Sequence, residues 1–367
     1  MLLSLVIPCY NEEKTLARCV EHVLRIADDE LQLQLVIVDD CSKDRSLEVA
    51  RALAEQHPQI QVVAHAVNQG KGAAVRTGFQ HASGDVVAIQ DADLEYDPQD
   101  LKKMLDPIRD GRADVVLGSR FLTSGAHRVL YFWHSVANQA LTLLSNMFTD
   151  LNLTDMECCY KAFSRDVAKK IVIRENRFGI EPELVAQCAE LRVRVYEMGV
   201  SYAGRTYEEG KKIGLKDAFR ALYCIVRYNA SHAPVFLQFA VYSIIGGMAA
   251  AANLLVFLLL MALGAGVTAS ALIAFFVAAG VNYGLCVWLL FEQRVKWSAS
   301  VETGLYLLVI CAVAAFDLAS TRGLMAAGMA AAGAKAISSL LGLIVNFLAR
   351  RFIVFPQRRR GQWRAAD

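Results

Sequence analysis

The sequence lacks the signatures of several common functional classes. It contains nine cysteines but no C-x-x-C pair, and none of its seven histidines lies at zinc-ligand spacing from a cysteine. We therefore predict free, reduced and buried thiols. The net charge is only +2 and arginines do not cluster with aromatic residues, so nothing favours nucleic-acid binding. The first eight residues lack a basic start and are too short for a secretory signal, and they predict a buried strand instead.

Two widespread nucleotide-binding motifs are also missing. There is neither a G-x-x-x-x-G-K-S/T loop nor a G-x-G-x-x-G fingerprint, which argues against a P-loop NTPase. A different glycine-rich segment, Asn-Gln-Gly-Lys-Gly at residues 68–72, precedes a predicted helix. Its glycines allow close backbone approach, and Lys71 is placed to reach a phosphate.

Charged residues are absent from two long apolar segments in the second half of the chain. Each exceeds the ~20 apolar residues that are needed to cross the hydrocarbon core of a bilayer. Two weaker apolar segments follow, one of them interrupted by Asp317. The sequence thus divides into a soluble domain at residues 1–230 and a four-helix transmembrane domain at residues 234–356. The predicted spans are residues 235–263, 267–291, 303–321 and 333–355.

The placement of lysine and arginine predicts the topology of these spans. With four spans, the N-terminal domain, the loop after the second span and the C-terminal tail share one side. That loop and the tail side hold eight basic residues, whereas the opposite side holds Arg322 and Lys335. The positive-inside rule therefore predicts that the soluble domain and both termini are cytoplasmic. Asp317 would be costly in lipid, so it is either a functional residue or lies near the outer interface beside Arg322.

The second and fourth spans share a sequence pattern. Asn282 precedes Phe291 by the same interval that separates Asn346 from Phe355. This pattern indicates two related helical hairpins, and a chance match in a biased composition is the alternative.

The first 120 residues alternate predicted strands and helices. Strands are predicted at residues 3–8, 33–38, 60–66, 86–90 and 115–118, and helices at residues 12–27, 44–56, 73–82 and 98–109. This alternation predicts a Rossmann-like α/β fold with a mostly parallel sheet and helices on both faces. Ligands of such sheets bind beyond the carboxyl ends of the strands. Polar residues cluster at four of these ends, at residues 8–12, 39–40, 91–93 and 119–120.

The acidic residues after the fourth predicted strand have the spacing of a metal site. Asp91 and Asp93 lie two residues apart in an extended stretch, so their side chains are expected to point the same way. Two carboxylates there suit Mg²⁺ or Mn²⁺, which commonly bridges to substrate phosphates and would neutralise a leaving nucleoside diphosphate. Glu95 either completes the coordination or is an ordinary surface carboxylate. Asp39 and Asp40 are acceptors suited to the donor groups of a base or a ribose.

Together these motifs resemble glycosyltransferase family 2, whose catalytic domains have the GT-A fold. The dolichol-phosphate mannosyltransferase and polyprenyl-phosphate glycosyltransferase branch is most similar, and the membrane half resembles the GtrA-type four-helix domain fused to some of these enzymes. The resemblance rests on residues 6–12 (VIPCYNE), 38–44 (VDDCSKD), 68–72 (NQGKG), 91–95 (DADLE) and 118–121 (GSRF).

The resemblance implies roles for individual residues. Nucleotide-sugar contacts are implied for Pro8, Tyr10, Glu12, Asp39, Asp40, Lys71 and Asp91, and a metal and diphosphate site for Asp91, Asp93 and Glu95. Residues 154–163 (TDMECCYKAF) resemble the acceptor segment of the branch, which makes Asp155 a catalytic or acceptor-side carboxylate, with a loop cap as the alternative. Residues 205–212 (RTYEEGKK) resemble its basic loop before the membrane. Catalytic roles are thus expected for Asp93, Arg120 and Asp155, and acceptor-phosphate contacts for Arg120, Arg128, Arg205, Lys211 and Lys212.

Two helical segments are suited to a membrane surface. Apolar residues recur at helical spacing over residues 215–230 with basic residues between them, which is typical of an interfacial helix. Residues 129–148, which include Trp133, form a second candidate. An ordinary helix packed on the sheet is the alternative for both.

The predicted activity is the transfer of one sugar from a nucleotide-sugar, of the UDP-glucose or GDP-mannose type, to a membrane polyprenyl phosphate such as dolichyl or undecaprenyl phosphate. The resemblance implies inversion at the anomeric carbon. A phosphate acceptor is already ionised near neutral pH, so no strong general base is needed. Catalysis then depends on positioning and on charge stabilisation.

Two other functions stay open at this point. Processive polysaccharide synthases of the same family carry Q-x-x-R-W before a membrane helix, and residues 293–297 (QRVKW) are a near miss that follows the second span. A non-catalytic role in glycolipid translocation is the other alternative, although the intact acidic set argues against it. A homo-oligomeric assembly also stays open at this point.

Overall fold

The computed structural model describes residues 1–122, 128–129, 131–204, 214–291 and 299–356 of the chain. These residues form two compact units that divide between Tyr228 and Asn229. The first unit is an α/β domain, and the second consists of long apolar helices.

The described part of the first unit contains a seven-stranded sheet. Its order is β3-β2-β1-β4-β6-β5-β7, and every neighbouring pair is parallel except the two that include β6. The prediction of a mostly parallel α/β sheet is therefore confirmed. The strands are β1 (Leu2–Cys9), β2 (Gln32–Asp39), β3 (Ile60–Ala64), β4 (Val86–Ile89), β5 (Val115–Ser119), β6 (Lys161–Ser164) and β7 (Val195–Gly199).

The helices of this unit follow the predicted alternation. The helix predicted at residues 98–109 is broken in two because Pro107 has no N–H with which to continue the hydrogen-bond ladder. The helix predicted from Glu12 begins at Leu16, whose N–H donates to the Glu12 carbonyl at 2.9 Å. The helices are α1 (Leu16–Leu24), α2 (Ser46–Gln56), α3 (Lys71–His81), α4 (Pro98–Met104), α5 (Asp106–Arg109), α6 (Phe132–Thr149), α7 (Arg165–Ala168), α8 (Ile180–Leu191) and α9 (Leu215–Asn229).

The central strands are buried on both faces. In β1, the side chains of Leu3, Leu5, Val6 and Ile7 are fully buried, which explains why the strand is an apolar run rather than an alternating pattern. All nine cysteines are free, as predicted, and seven are buried. The prediction of burial is wrong for the other two, Cys41, which is partly exposed, and Cys311, which is exposed.

The strands β6 and β7 were not predicted from the sequence, and β6 has the larger consequence. It lies antiparallel between β4 and β5, with Ala162 opposite both Ala88 and Val116. Its first residue, Lys161, therefore lies near the carboxyl ends of β4 and β5 rather than at the opposite edge. The loop before β6 is thereby brought to the edge where ligands bind in such sheets.

The second unit has four helices that are long and apolar enough to cross a membrane, counted over the described residues. The predicted four-helix transmembrane domain is confirmed. Asp317 lies within the third of these helices and is partly exposed. A 3₁₀ turn at Ala230–His232 precedes α10 (Val235–Ala262), α11 (Val267–Leu285), α12 (Ala299–Ala326) and α13 (Ala331–Ala349), and π-helical turns follow α11 at Cys286–Leu290 and α13 at Arg350–Val354.

The two helical hairpins of this unit repeat one geometry. The helices α10 and α12 each have 28 residues, and α11 and α13 each have 19, with paired starts at 235 and 299 and at 267 and 331. Phe291 and Phe355, which follow the two π-helical turns, stack with their ring centroids 5.0 Å apart. The related hairpins that the sequence pattern indicated are thus present, in the manner of a parallel repeat.

Arg350 links the two hairpins. It is 4% exposed, and its guanidinium donates hydrogen bonds to Asn346 Oδ1 at 3.0 Å and to Asn282 Oδ1. The guanidinium carbon lies 4.5 Å from the ring centroid of Tyr306 and 5.6 Å from that of Tyr242. These amide oxygens and ring faces stabilise a charge that would otherwise be costly among apolar helices.

We expect Arg350→Met to destabilise the membrane unit by about 1–3 kcal/mol, because both asparagine oxygens lose a buried donor. Arg351→Met is the matched control, since Arg351 Nε has no hydrogen-bond partner among the described residues. Thermal unfolding of the detergent-purified protein measures both variants. A wild-type melting temperature for Arg350→Met would contradict the linking role.

Candidate active site

A cavity of about 700 Å³ opens at the carboxyl edge of the sheet. It is lined by the loops after β1, β4 and β5, by the segment before β6, and by residues of α3, α6, α8 and α9. Among the predicted site residues that the structure describes, Asp39 and Asp155 are not part of its lining. The lining does include Pro8, Tyr10, Glu12, Asp40, Lys71, Asp91, Asp93, Glu95, Arg120 and Arg128.

Asp39 ends β2 with one carboxylate oxygen unsatisfied. The residue is 1% exposed, and its Oδ2 accepts a hydrogen bond from the Ser42 N–H at 3.1 Å. Its Oδ1 is buried and has no partner in the part of the chain that the structure describes. Because buried polar atoms nearly always have a partner, this oxygen is an acceptor for which the described residues supply no donor.

Asp40 organises the glycine-rich loop. Its Oδ1 accepts hydrogen bonds from His65 Nδ1 at 2.7 Å and from the Gln69 N–H at 2.9 Å, and its Oδ2 accepts from the Gly70 N–H at 2.6 Å. Gly70 has a φ of 101°, and a Cβ there would lie 2.4 Å from the Asn176 carbonyl oxygen, so only glycine fits. Asp40 thus holds the glycine-rich loop in position, and its predicted contact with the nucleotide stays a prediction.

We expect Asp40→Asn to lower the free energy of unfolding by about 1–3 kcal/mol, because an amide nitrogen cannot accept from the loop N–H groups. The KM of the donor should rise as the loop loses its position. Asp110→Asn is the control, because Asp110 pairs with Arg112 on the surface and should contribute little. Thermal unfolding and donor kinetics measure the effect, and unchanged values for Asp40→Asn would exclude the positioning role.

Lys71 begins α3 and joins two carboxylates of the cavity. Its Nζ lies 2.9 Å from Asp91 Oδ1 and 3.2 Å from Glu181 Oε1. Burial disfavours the charged form of Lys71, but Asp91 and Glu181 outweigh it and hold the pKa of Lys71 well above its usual range. A fixed positive charge therefore lies beside the first carboxylate of the predicted metal site.

Asp93 and Glu95 follow Asp91 along the cavity wall. Asp93 Oδ1 accepts a hydrogen bond from the Glu95 N–H at 3.2 Å, and Glu95 Oε2 accepts from the Tyr202 hydroxyl at 2.9 Å. Leu94 between them has a φ of 63°, which turns the chain sharply after β4.

These carboxylates fit a divalent cation that is shared with a substrate. The described residues contain no group of three His, Cys, Asp or Glu side chains arranged to hold a metal by themselves. Mg²⁺ is usually bound by one or two carboxylates together with substrate phosphates, so such a group is not required. Asp91 and Asp93 supply hard oxygen ligands of this kind at the cavity wall.

Arg120 follows β5 and is held by a bidentate ion pair. Its Nε lies 2.6 Å from Asp155 Oδ2 and its Nη2 lies 2.7 Å from Asp155 Oδ1. Asn138 Nδ2 donates to Asp155 Oδ1 at 3.0 Å, and the guanidinium carbon lies 5.2 Å from the ring centroid of Tyr202. The guanidinium is therefore fixed at the cavity wall before any ligand binds.

Asp155 acts through Arg120. Burial would raise the pKa of Asp155, but Arg120 outweighs burial and lowers the pKa below its usual range. Asp155 is 1% exposed and outside the cavity lining, whereas Arg120 is part of it. The contacts show that Asp155 positions Arg120, and the catalytic or acceptor-side role that the resemblance implied stays a prediction.

Arg128 also lines the cavity, and its Nη1 donates to the Gly204 carbonyl oxygen at 2.6 Å. The other expected acceptor residues, Arg205, Lys211 and Lys212, lie outside the described residues. The near-miss motif at residues 293–297 does so as well.

Three carboxylates of the cavity lining, Glu157, Glu181 and Asp217, were not predicted as site residues. Glu157 precedes β6 and Glu181 opens α8. Burial, and after it the charge of Glu181, raises the pKa of Glu157 to about 7. Glu157 lies within residues 154–163, which resemble the acceptor segment, but no pattern singled out its side chain or that of Glu181, because the sheet and the packing of α8 bring them to the cavity.

Exposed apolar side chains adjoin this cavity. Val129 and Tyr131 line it and are more than half exposed, and the neighbouring Phe132 and Trp133 at the start of α6 are exposed to a similar extent. A contiguous patch of this kind is typical of a surface that contacts a membrane or a partner.

The helix α9 has two different faces. Arg220 Nη2 and the Tyr228 hydroxyl donate to the two oxygens of Glu175, at 2.6 Å and 2.8 Å. These bonds hold one face of α9 against the rest of the α/β domain. The other face exposes Phe219 and Leu222. This amphipathic arrangement suits an interface between protein and membrane.

Comparison with known families accounts for both units. Residues 4–172 match glycosyl transferase family 2, and residues 241–355 match the GtrA/DPMS transmembrane domain. The chain joins a glycosyl transferase family 2 domain to a GtrA/DPMS transmembrane domain. The family 2 domain accordingly has a GT-A-like fold, and the resemblance inferred from the motifs is confirmed for both halves. The protein is an integral membrane protein.

Similar proteins bear the names of sugar transferases. A dolichyl-phosphate beta-glucosyltransferase of Trichomonas vaginalis is 30% identical over 213 residues, which cover 54% of this chain and 65% of that protein. An undecaprenyl-phosphate 4-deoxy-4-formamido-L-arabinose transferase of Aeromonas hydrophila subsp. hydrophila is 28% identical over 266 residues, which cover 72% and 78%. The chain spans less than two thirds of the length of the first curated relatives that it matches.

A solved structure is similar at a lower level. Glucosyl-3-phosphoglycerate synthase from Mycobacterium tuberculosis, in complex with Mn²⁺, uridine diphosphate and glucosyl-3-phosphoglycerate, is 18% identical with a TM-score of 0.48. The match covers 62% of this chain and 79% of that chain.

Proposed function

We propose that this protein transfers one sugar from a nucleotide-sugar to the phosphate of a membrane polyprenyl phosphate. The observation that carries the proposal is that Asp91 and Asp93 share one cavity with the clamped guanidinium of Arg120, in a chain with four membrane helices. The carboxylates suit a metal-bound diphosphate, and the guanidinium suits an acceptor phosphate. The names of the relatives, which refer to dolichyl and undecaprenyl phosphate, support the lipid acceptor.

The nucleoside is proposed to bind at the ends of β1 and β2. Pro8, Tyr10 and Glu12 line this end of the cavity. The unpaired Asp39 Oδ1 would accept a base N–H. Lys71 would lie beside the diphosphate, since its ammonium is held next to Asp91. Both UDP-glucose and GDP-mannose satisfy this description.

Mg²⁺ or Mn²⁺ would be held by Asp91 and Asp93 together with the donor diphosphate, and Glu95, whose Oε2 accepts a hydrogen bond from Tyr202, would lie beside them. The ion would supply charge stabilisation to the leaving diphosphate. Lys71 adds a second positive charge beside the leaving diphosphate, and Arg120 orients the acceptor phosphate.

The acceptor phosphate needs no strong base, because its oxygen is already ionised at neutral pH. That oxygen forms a bond to the anomeric carbon while the bond from this carbon to the nucleoside diphosphate breaks, and the configuration inverts. Arg120 and Arg128 would bind the acceptor phosphate. Arg205, Lys211 and Lys212 are proposed to join them.

The catalytic domain and both termini are proposed to face the cytoplasm, as the distribution of basic residues predicts. The exposed Phe132 and Trp133 beside the cavity, and the exposed face of α9, would then contact the cytoplasmic membrane surface. This placement would bring the lipid phosphate within reach of the cavity.

Purified protein with radiolabelled UDP- or GDP-sugars, Mg²⁺ or Mn²⁺, and undecaprenyl or dolichyl phosphate tests the proposal. We expect one labelled sugar per lipid in the organic phase, no product with the free prenol, and loss of product after chelation of the metal. Polymer formed without added lipid would favour a processive synthase. Glycolipid movement between leaflets without turnover of any donor would indicate a translocation role.

A further inference from the structure

In the order of the strands along the sheet, Glu157 falls between Asp91 of the predicted metal site and Arg120, the proposed contact of the acceptor phosphate. It precedes β6, and β6 separates β4, after which Asp91 follows, from β5, after which Arg120 follows. Because β6 is antiparallel to both neighbours, its start shares the edge with their carboxyl ends. The order along this edge is therefore Asp91, Glu157 and Arg120, and all three line the same cavity.

The Glu157 carboxylate lacks the partners that its neighbours have. Its Oε1 is buried and accepts no hydrogen bond from the described part of the chain. The cations that influence it are bound elsewhere, since Lys161 Nζ donates to Glu181 Oε2 at 2.7 Å and Arg120 is paired with Asp155. A buried carboxylate oxygen without a donor is costly unless a ligand supplies one.

The electrostatic surroundings also favour a ligand at this position. Burial and the charge of Glu181 raise the pKa of Glu157 to about 7, and Asp155 acts in the same direction. Lys161 and Arg120 oppose this shift without cancelling it. Hydroxyl groups that donate to the carboxylate would stabilise its ionised form.

We infer that Glu157 recognises the transferred sugar by accepting hydrogen bonds from its hydroxyl groups and thereby contributes to donor specificity. The inference rests on the proposed function, in which the sugar lies between a diphosphate bound at Asp91 and an acceptor phosphate bound at Arg120. Glu157 occupies that interval along the sheet edge. The substrate class is a nucleotide-linked hexose with free hydroxyl groups.

The test compares Glu157→Ala and Glu157→Gln in the full-length protein with Glu183→Gln as the control. Glu183 is buried and, like Glu157, has a raised pKa, but its oxygens accept the N–H groups of Arg174 and Glu175, and it does not line the cavity. Calorimetry measures the Kd of a nucleotide-sugar and the Kd of its nucleoside diphosphate independently of transfer. The ligand pairs are UDP-glucose with UDP, and GDP-mannose with GDP.

We expect Glu157→Ala to weaken nucleotide-sugar binding about tenfold to a hundredfold and to leave nucleoside diphosphate binding unchanged. Glu157→Gln should have a smaller effect, because its amide oxygen still accepts a hydrogen bond. Wild-type affinity for the nucleotide-sugar should fall as the pH falls through about 7, and this dependence should be absent in Glu157→Gln. Glu183→Gln should change neither Kd.

Two results would overturn the inference and leave Glu157 a structural residue. One is an equal loss of affinity for the nucleotide-sugar and for the nucleoside diphosphate. The other is a loss of thermal stability while both affinities stay unchanged. The proposed function fails in a different way. It would be overturned if wild-type protein transferred no sugar to any polyprenyl phosphate, and a selective effect of Glu157→Ala on nucleotide-sugar binding would then still support the sugar contact.

Discussion

Replacing Asp91 and Asp93 together by asparagine is expected to reduce sugar transfer roughly 10³-fold or more. A metal that stabilises a leaving diphosphate contributes several kcal/mol, and each 1.4 kcal/mol corresponds to about a tenfold change in rate. Asparagine preserves the shape of the side chains but removes the charge that binds a hard cation. Lys71 retains Glu181 as an ion-pair partner at 3.2 Å, so the start of α3 stays anchored.

Transfer rates over a range of Mg²⁺ and Mn²⁺ concentrations, with thermal unfolding in parallel, measure this effect. The control is Asp106→Asn combined with Asp110→Asn, which removes the same charge from exposed ion pairs and should leave transfer nearly unchanged. Wild-type turnover in the Asp91 and Asp93 double variant would refute the metal-site assignment.

Breaking the pair between Arg120 and Asp155 is expected to have the second largest effect. Asp155→Asn leaves a partly buried guanidinium without its counter-charge, which should cost up to about 3–5 kcal/mol of unfolding free energy. Arg120→Met leaves Asp155 buried and unpaired, with a similar cost. Because the folded-state pKa of Asp155 is lowered, the stabilisation by the pair is present at neutral pH and is lost as the pH falls below about 4.

A double variant, Arg120→Met with Asp155→Leu, separates stability from function. A packed apolar pair can replace a buried ion pair, so this variant should unfold at a higher temperature than either single variant. Its kcat/KM for the lipid acceptor should stay at least about a hundredfold below wild type, because the Arg120 guanidinium no longer binds the phosphate and, among the described residues proposed to bind it, only Arg128 remains. Denaturant unfolding and acceptor kinetics measure the two effects, and recovery of both would show that Arg120 is only structural.

Patterns within short stretches were sufficient to predict most elements of the fold. The strands β1, β2 and β4 are apolar runs that end at polar residues, because strands buried on both faces have no solvent side to alternate with. The membrane helices were predicted for a similar reason, since length without charge is what the hydrocarbon core of a bilayer requires.

The roles of two predicted site residues could not be read in the same way. Asp40 and Asp155 look like ligand-binding carboxylates when only their neighbours in sequence are considered. Their partners come from distant segments, the loop at residues 69–70 for Asp40 and the end of β5 for Asp155. A carboxylate that is already engaged by the protein positions other groups, and only the folded chain shows that engagement.

The amino-acid pattern alone established the acidic strand ends around Asp91, the four membrane spans and the family that both halves resemble. These features depend on short-range periodicity and on composition, which a linear chain displays directly. Tertiary structure decided that β6 is antiparallel to its neighbours, which brings Glu157 to the cavity that holds Asp91 and Arg120. The packing of α8 brings Glu181 to the same cavity. Strand direction and long-range pairing arise from packing between distant segments, so no local pattern encodes them.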